Sequence, residues 1–365
     1  MINLRIGLHD RNTNSTSKFF LLFFLLLFFS SNSSRAQFWH TLPSLKDGTG
    51  MNVCFSNDEK KVFYLSKEGG VPNIWCMTVA DKYGRIIAVP ANPPVQVTKF
   101  TDRGVARFLH LLNKDEVLYM RMAENGKDYH IYRLKDDGTG TPQDLTPGAE
   151  GVTSEIIGAS YNGRYVYYTN NKVNHDKLDT YRYDCNQYVT DLVFPNDKDF
   201  RTLAWSRDHG SLLVEEPATG SLMLFNIEST ERTPLVKPAN GRYQEALMDP
   251  SNHELIVLEK NGTETTERSM DIASKTWKDV AKGDFTSIDF STNGKYQIVE
   301  EGKKWSVKEA ATGTTVSLPD GAQPLSIAPK ETMLVYGLPQ ADAEELYLYD
   351  ISKKSSVKLT TIGSK

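Results

Sequence analysis

Beyond its first 36 residues the chain carries no sustained helical periodicity; a shorter pattern recurs instead. A short run with alternating apolar and polar positions meets a polar turn, and a second run rich in Val, Tyr, Leu and Ile follows. The clear copies are VCFSNDEKKVFYLS (53–66), GASYNGRYVYYTN (158–170), AWSRDHGSLLVEE (204–216), LMDPSNHELIVLE (247–259) and DFSTNGKYQIVEE (289–301). FLHLLNKDEVLYMRM (108–122) and LSIAPKETMLVYG (325–337) are weaker ones. In each, Asn, Asp, Gly, Ser or Pro supplies a turn between two β-prone runs, which predicts a hairpin.

A third run follows most hairpins, with apolar or aromatic residues alternating with polar ones: NIWCMTV, YHIYRL, TYRYD, SLMLFN, KWSVKE and ELYLYD. After a small polar turn comes a short fourth run, as in PVQVT (94–98), PQDLT (142–146), TTVSL (314–318) and SVKLT (356–360). The unit is therefore four antiparallel strands, and its copies begin near Gly50, Gly104, Val152, Asp199, Arg242, Asp284 and Ala322. That repeat length is close to the spacing of propeller blades. A lone four-stranded sheet leaves both faces wet, whereas radial stacking buries the faces and shields the edges. The fold class expected is all-β, a seven-bladed β-propeller with four antiparallel strands per blade. Its blades should lie near 50–100, 104–148, 152–196, 199–238, 242–282, 284–319 and 322–362. The turns LLNKDE, SRDHGS and APKETM lack the usual Pro-Asp-Gly, which keeps six or eight blades open beside seven.

The first 36 residues read differently. Arg5, Arg11 and Lys18 precede an unbroken apolar run from Phe19 to Phe29, and the segment ends at Ser34-Arg35-Ala36. That is the layout of a secretory signal peptide. Eleven apolar residues make a helix of about 16 Å, roughly half the hydrocarbon core of a bilayer. Residues 37–49 form a lead-in to the propeller at 50–362. The expected location is exported, periplasmic or extracellular, with no transmembrane span after cleavage.

Without residues 1–36 the chain holds 38 Lys and Arg against 45 Asp and Glu, a balance of −7. A mildly acidic chain argues against nucleic acid and anionic membrane as main partners. Cys54, Cys76 and Cys185 have no metal-ligand spacing and build no disulfide framework. They read as buried small apolar residues.

The strand–Ser-x-Asp/Asn–strand hairpin, the aromatic third strand ending in Asp and the fourth strand ending in Leu-Thr together resemble the TolB-type, WD40-like propeller repeat. The same repeat builds the propeller of prolyl oligopeptidase and dipeptidyl peptidase relatives. The likeness is carried by FSNDEKKVFYLS, ASYNGRYVYYTN, FSTNGKYQIVEE, IYRLKDDGTGTPQDLT and LYLYDISKKSSVKLT and covers nearly all of 50–362. The resemblance implies a propeller and says little of function, since such propellers serve many roles. TolB carries a smaller α/β domain before its propeller, and residues 37–49 are too few for one. The peptidases carry an α/β-hydrolase domain, and this chain ends with its seventh unit. The expectation is a stand-alone propeller.

No residue pattern signals catalysis. Gly158-Ala159-Ser160-Tyr161-Asn162-Gly163 places its second glycine one position too late for a nucleophile elbow and sits in a strand-turn-strand unit. His40, His110, His130, His175, His209 and His253 include no pair at helical zinc spacing. His110 and His130 fall on strands and could face a channel, where a propeller gathers metal ligands from several blades. Asp136-Asp137-Gly138 lacks the closing Glu of a calcium loop and occupies the turn between third and fourth strands. The aromatic stripes (Tyr165, Tyr167, Tyr168; Tyr181, Tyr183; Tyr347, Tyr349) should pack between blades. No cofactor is expected.

Propeller logic places a working surface on the blade-to-blade connectors and the loops between second and third strands. The connector candidates are Asp102, Arg103, Glu150, Asp197, Asp199, Arg242 and Asp284; the loop candidates are Glu68, Asn171, Glu215 and Glu300. Their acidic excess favours a cationic partner segment. The function expected is a non-catalytic, monomeric scaffold for a protein or peptide partner in the cell envelope. The alternatives are a propeller hydrolase or lyase acting on glycans or lactones with metal ligands gathered across blades, and an accessory propeller of a separately encoded peptidase.

Overall fold

Four of the hairpin turns are each fixed by one serine: Ser56, Ser160, Ser206 and Ser291. In the computed structural model, which describes residues 52–363 apart from 88–92, 112, 161, 237–241, 252 and 342, Ser56 Oγ accepts the Lys61 N–H at 3.0 Å and donates to Asp58 at 2.7 Å. Asp58 in turn accepts the N–H of Lys60. Ser160 repeats the arrangement with Tyr165 and Asn162, and Ser206 with Ser211 and Asp208. The hydroxyl thus satisfies the first amide of the returning strand, and the Asp or Asn rigidifies the turn by local side-chain-to-backbone bonds. The Thr that ends the fourth run has a matching task. Thr98 and Thr146 hydroxyls accept the N–H groups of Ile74 and Ile131, at 2.9 Å each, where the third strand would otherwise lose its partner.

The described residues form seven antiparallel sheets, each built from one continuous stretch with strands in sequence order. All have four strands except the sixth, where Phe285–Phe290, Tyr296–Glu301 and Lys304–Glu309 form three. The fourth strand expected at 314–318 is reduced there to a bridge between Lys308 and Thr315 and a bond from Val316 N–H to Val307. Pro319, just beyond, has no N–H with which to extend the ladder. The expected all-β, seven-bladed propeller is what the chain forms. The proposed signal peptide and lead-in, residues 1–49, lie outside the described residues.

The core is not central. It is divided into seven clusters, one between each pair of neighbouring blades. Second strands explain this, because they are buried on both faces. In Lys61–Ser66, Val62 and Tyr64 pack toward blade 7 while Phe63 packs toward blade 2. In Ser211–Glu216, Leu212 and Val214 face blade 3 and Leu213 faces blade 5. In Glu254–Asn261, Leu255 and Val257 face blade 4 while Ile256 and Leu258 face blade 6. A strand wetted on neither face must be apolar at every position, which is why these runs look continuous in the sequence. Each such side chain contributes about 1.5–3 kcal/mol of burial.

The aromatic stripes follow the same rule. Tyr165 and Tyr167 face blade 4, with Tyr167 stacked on Trp205 at 4.6 Å, whereas Tyr168 and Tyr183 face blade 2. Among the described residues no strand is exchanged between sheets, and blades 7 and 1 meet through side chains, among them Val53, Phe55, Leu325, Val335 and Leu348. Cys54 and Cys76 lie on either side of Phe63 across the second strand of blade 1. All three cysteines are free; Cys54 and Cys185 are buried, and Cys76 is only half-buried.

Candidate functional site

One local irregularity recurs where the blades approach the hub. The innermost strand carries a β-bulge at the same place in blades 2 through 7, leaving Ala106, Ile157, Leu203, Gln244, Thr286 and Leu325 without a cross-strand partner. A bulge bends its strand and re-aims neighbouring side chains. Ile157, Leu203 and Gln244 all line a cavity of about 680 Å3 bounded by blades 2 to 6, and so do Arg107 and Glu245, which directly follow a bulge. The second-to-third-strand loop of blade 3 adds Asp176, Lys177 and Leu178, and the connector into blade 4 adds Asn196, Asp199 and Phe200. A cavity of that size suits a small ligand or a few residues of an extended chain.

Carboxylates dominate its charge. Glu155, Asp176, Asp199, Glu215, Glu245 and Asp289 line it, against Arg107, Lys177 and Arg201. The cations are engaged. Arg201 donates to Glu215 at 2.6 Å, and Lys177 donates to the Asp197 carbonyl at 2.5 Å. Arg107 donates to the Ile156 carbonyl and stands 4.0 Å from Glu155. Glu245 accepts the Ile288 N–H at 2.8 Å and the Ser287 hydroxyl at 3.2 Å. Asp289 is 3 % exposed, and its Oδ1 accepts the N–H of Phe290 at 2.7 Å. Its other oxygen, Oδ2, is buried with no hydrogen-bond partner among the described residues. Burial, with the Glu245 carboxylate adding to it, pushes Asp289 well above the usual carboxylate range.

Of the residues singled out from the sequence, the structure brings Asp199 and Glu215 to this cavity. Asp197 stands beside it, ion-paired to Arg232 at 3.0 Å, and that bond holds its carboxyl below the ordinary value. The others have local tasks. Asp102 accepts from Arg121 at 2.7 Å, and Arg103 donates to the carbonyls of Ala123 and Glu124. Glu150 makes an exposed pair with Lys127. Asn171 is buried, accepting the Thr153 N–H and donating to the Gly151 and His175 carbonyls. Glu300 accepts from the Thr286 hydroxyl, Asp284 gives its carbonyl to the Gly302 N–H, and Glu68 is exposed beside Ser66. Arg242 opens the first strand of blade 5.

The two strand histidines do not face the cavity. His110 Nε2 is 3.1 Å from Asp136, which also receives Lys61, and its ring stacks on Phe63 at 4.8 Å between blades 1 and 2. His130 Nδ1 is 2.7 Å from Asp144 within blade 2. Burial alone would raise Asp136, but its bonds to His110 and Lys61 hold it below the ordinary value. Among the described residues, no group of three or more His, Cys, Asp or Glu side chains is placed to hold a metal ion.

Sequence reading missed Arg107, Glu155, Glu245 and Asp289. A usable signal existed for two of them, since a single carboxylate falls in an otherwise uncharged run in FTSIDF and YQEALM.

No protein-family model matches the chain. Dipeptidyl aminopeptidase BIII of Pseudoxanthomonas mexicana is 31% identical over 112 residues, a stretch covering 30% of this chain and 14% of that relative. Among solved structures, an oligogalacturonate lyase in complex with manganese superposes with a TM-score of 0.60 at 11% identity, over 81% of this chain and 87% of that one. A prolyl endopeptidase superposes with a TM-score of 0.59 at 12% identity, over 91% of this chain and 51% of that one. The resemblance read from the repeats, to propellers of the kind shared by TolB and the prolyl oligopeptidase relatives, holds at the level of the fold.

Proposed function

We propose that the protein is an exported propeller scaffold that holds a peptide segment of an envelope partner in the cavity at its hub, without transforming it. The observation that carries this reading is the cavity's composition. Its cations already have hydrogen-bond partners, its carboxylates are in excess, and its walls include Ile157, Phe200, Leu203, Tyr243 and Leu247. Such a surface suits a chain segment with apolar side chains and positive charge. At the mouth Leu178 is 39% exposed, and Val173 in the same loop is 70% exposed, a placement that a partner segment would relieve. Export rests on the layout of residues 1–36. Among the described residues, no helix is long and apolar enough to cross a membrane.

The test is site-specific photocrosslinking in envelope extract. A photoreactive residue at position 178 should capture a discrete partner, and the same residue at Tyr83, in an outer turn of blade 1, should not. Equal labelling at both positions rejects the hub as the binding surface. Chelator-sensitive cleavage of oligogalacturonate by the purified protein would reject the non-catalytic part and favour the lyase alternative.

A further inference from the structure

We infer that Arg107 is a carboxylate-binding residue of the hub cavity, and that the free edge of its guanidinium receives the C-terminal or side-chain carboxylate of a bound peptide. The inference rests on the peptide-binding reading above and names a group that such a peptide must present.

Among the described residues, Arg107 is the one that blade 2 contributes to the cavity. It directly follows the bulge at Ala106, and Leu109, two positions on, packs toward blade 3. By that register the Arg107 side chain also faces blade 3, where its Nη1 donates to the Ile156 carbonyl. The Glu155 carboxylate stands 4.0 Å from the same nitrogen, beyond hydrogen-bond distance, and its side chain is 60% exposed. Both contacts therefore fall on Nη1. Nε and Nη2 make no hydrogen bond among the described residues, although only 17% of the side chain is exposed. Those two atoms present parallel N–H donors, the fork that fits a carboxylate side-on.

Charge balance points the same way. Burial pulls the guanidinium below its ordinary value, and Glu155 offsets only part of that. Glu245 supplies the contrast. It holds the corresponding place in blade 5, directly after the bulge at Gln244, and it too reaches the innermost strand of the next blade. There the Ile288 N–H and the Ser287 hydroxyl hold both of its oxygens, whereas one edge of Arg107 is left free. A largely buried charge without a close counter-ion is costly, and an entering carboxylate supplies one. A single negative charge is all the cavity accommodates. Asp199, Glu215 and Glu245, from blades 4 and 5, line its other side and oppose a phosphate or a second acid. A peptide with its carboxylate at blade 2 and a cationic side chain toward blades 4 and 5 matches both sides.

The experiment is calorimetric titration of the whole mature chain with four probes. They are N-acetyl-Lys-Leu-Ala with a free C-terminus, N-acetyl-Lys-Leu-Glu amide with only a side-chain carboxylate, N-acetyl-Lys-Leu-Ala amide with neither, and trigalacturonate. At least one carboxylate-bearing peptide should bind about tenfold or more tightly than the amide of Lys-Leu-Ala, the reverse of what the acidic excess alone would give. Which one binds distinguishes the C-terminal from the side-chain source. Arg107→Gln should erase the preference. Arg107→Lys keeps the charge and a donor for Ile156 but loses the fork, so the preference should fall to about threefold. An unchanged melting temperature of this second variant keeps the test decisive if the first is unstable. Glu155→Gln removes an exposed competing carboxylate and should raise the preference about twofold. Equal binding of all three peptides, or variants of Arg107 that weaken all three alike, overturns the carboxylate site and leaves the peptide-binding reading standing. Binding of no peptide, with or without binding of trigalacturonate, overturns both.

Discussion

Glu59, in the hairpin turn of blade 1, accepts the backbone N–H of Lys330 in the corresponding turn of blade 7, and the Lys330 ammonium stands 3.6 Å from its second oxygen. Glu59 has a left-handed backbone, with φ of 63°, which swings its side chain out of its own turn and toward the neighbour. Glu331 repeats this one blade back. With φ of 58° it accepts the Ser291 hydroxyl at 2.5 Å and the Asn293 N–H at 2.8 Å, both in the turn of blade 6. Asn113, also left-handed, receives Asn57 of blade 1 at 3.3 Å. Glu59 and Glu331 hold the same position in their turns, Asn113 stands one residue earlier in its own, and each latches its blade to the blade before it.

Removing a latch should therefore loosen an interface more than a turn. Glu59 is 4% exposed and Glu331 6%, so neither carboxylate is a surface charge. Glu331→Ala leaves a buried hydroxyl and an amide unpaired and should cost about 2–3 kcal/mol. Glu59→Ala should cost a similar amount while acting at the junction of blades 1 and 7, where the described residues exchange no strand. Urea unfolding of each variant checks this. A loss below about 0.5 kcal/mol would place both among ordinary surface changes.

His209 occupies the same left-handed position in blade 4, with φ of 63°, and meets Tyr165 of blade 3 edge-on at 5.1 Å. Neither ring nitrogen has a hydrogen-bond partner among the described residues. Burial first, and then the nearby Arg182 and Arg164, push its pKa down to about 4. The folded state thus binds this proton less readily than the unfolded chain does. Above about pH 6.5 both states are neutral and the latch has its full strength; as pH falls toward 4 the unfolded state gains the proton and stability is lost. The whole difference corresponds to about 3 kcal/mol, and because the ring is only part-buried, about 2 is expected. Asn tolerates the left-handed backbone and does not titrate, so His209→Asn is the reference. Its stability relative to the parent should improve by about 2 kcal/mol between pH 7 and 4. A constant difference across that range would falsify the assignment.

The contrast between Ser206 and His209, three residues apart in one turn, shows what the sequence makes legible. Ser206, like Ser56 and Ser160, acts within its own hairpin, and its partners lie two and five residues ahead. Local bonding leaves a local signature, so the hairpins and the apolar second strands can be read from one chain, while the degenerate turns left the blade count open to six or eight beside seven. His209 acts across a blade boundary, on a residue 44 positions earlier, and nothing near it in the sequence signals that. The hub is hidden for a further reason. A bulge adds one residue to the innermost strand, which breaks the alternation that would tell an inward side chain from an outward one. Glu245 and Asp289 were legible only as lone charges in otherwise uncharged runs. Asp199 and Glu215, found by fold logic, sit where connectors and loops meet the cavity.

The cysteines should be inert in the native state. Cys54 and Cys76 are held apart by the strand bearing Phe63, which prevents a disulfide between them without rearrangement. Burial raises all three thiols, Cys76 and Cys185 to about 12, so little thiolate exists near neutral pH. Iodoacetamide at about pH 8 should label the folded protein far more slowly than the urea-unfolded chain, with all three sites reacting only in the latter. Fast native labelling of Cys54 or Cys185 would contradict their burial; Cys76, being half-buried, should be the first to react.

Asp289 predicts a pH dependence of opposite sign to that of His209. Its pKa is raised well above the value in an unfolded chain, because burial beside Glu245 penalises the charged form. Below about pH 4 the group is protonated in both states and costs nothing. As pH rises past that point the unfolded chain releases its proton while the folded protein holds it, and stability falls until the folded carboxyl itself ionises. Asp289→Asn removes the titration and keeps the shape, so the variant should match the parent near pH 4 and exceed it increasingly toward pH 7.5. Urea midpoints of both proteins across that range measure the divergence. Parallel midpoints would mean that Asp289 is ionised in the folded protein and that its second oxygen is already partnered.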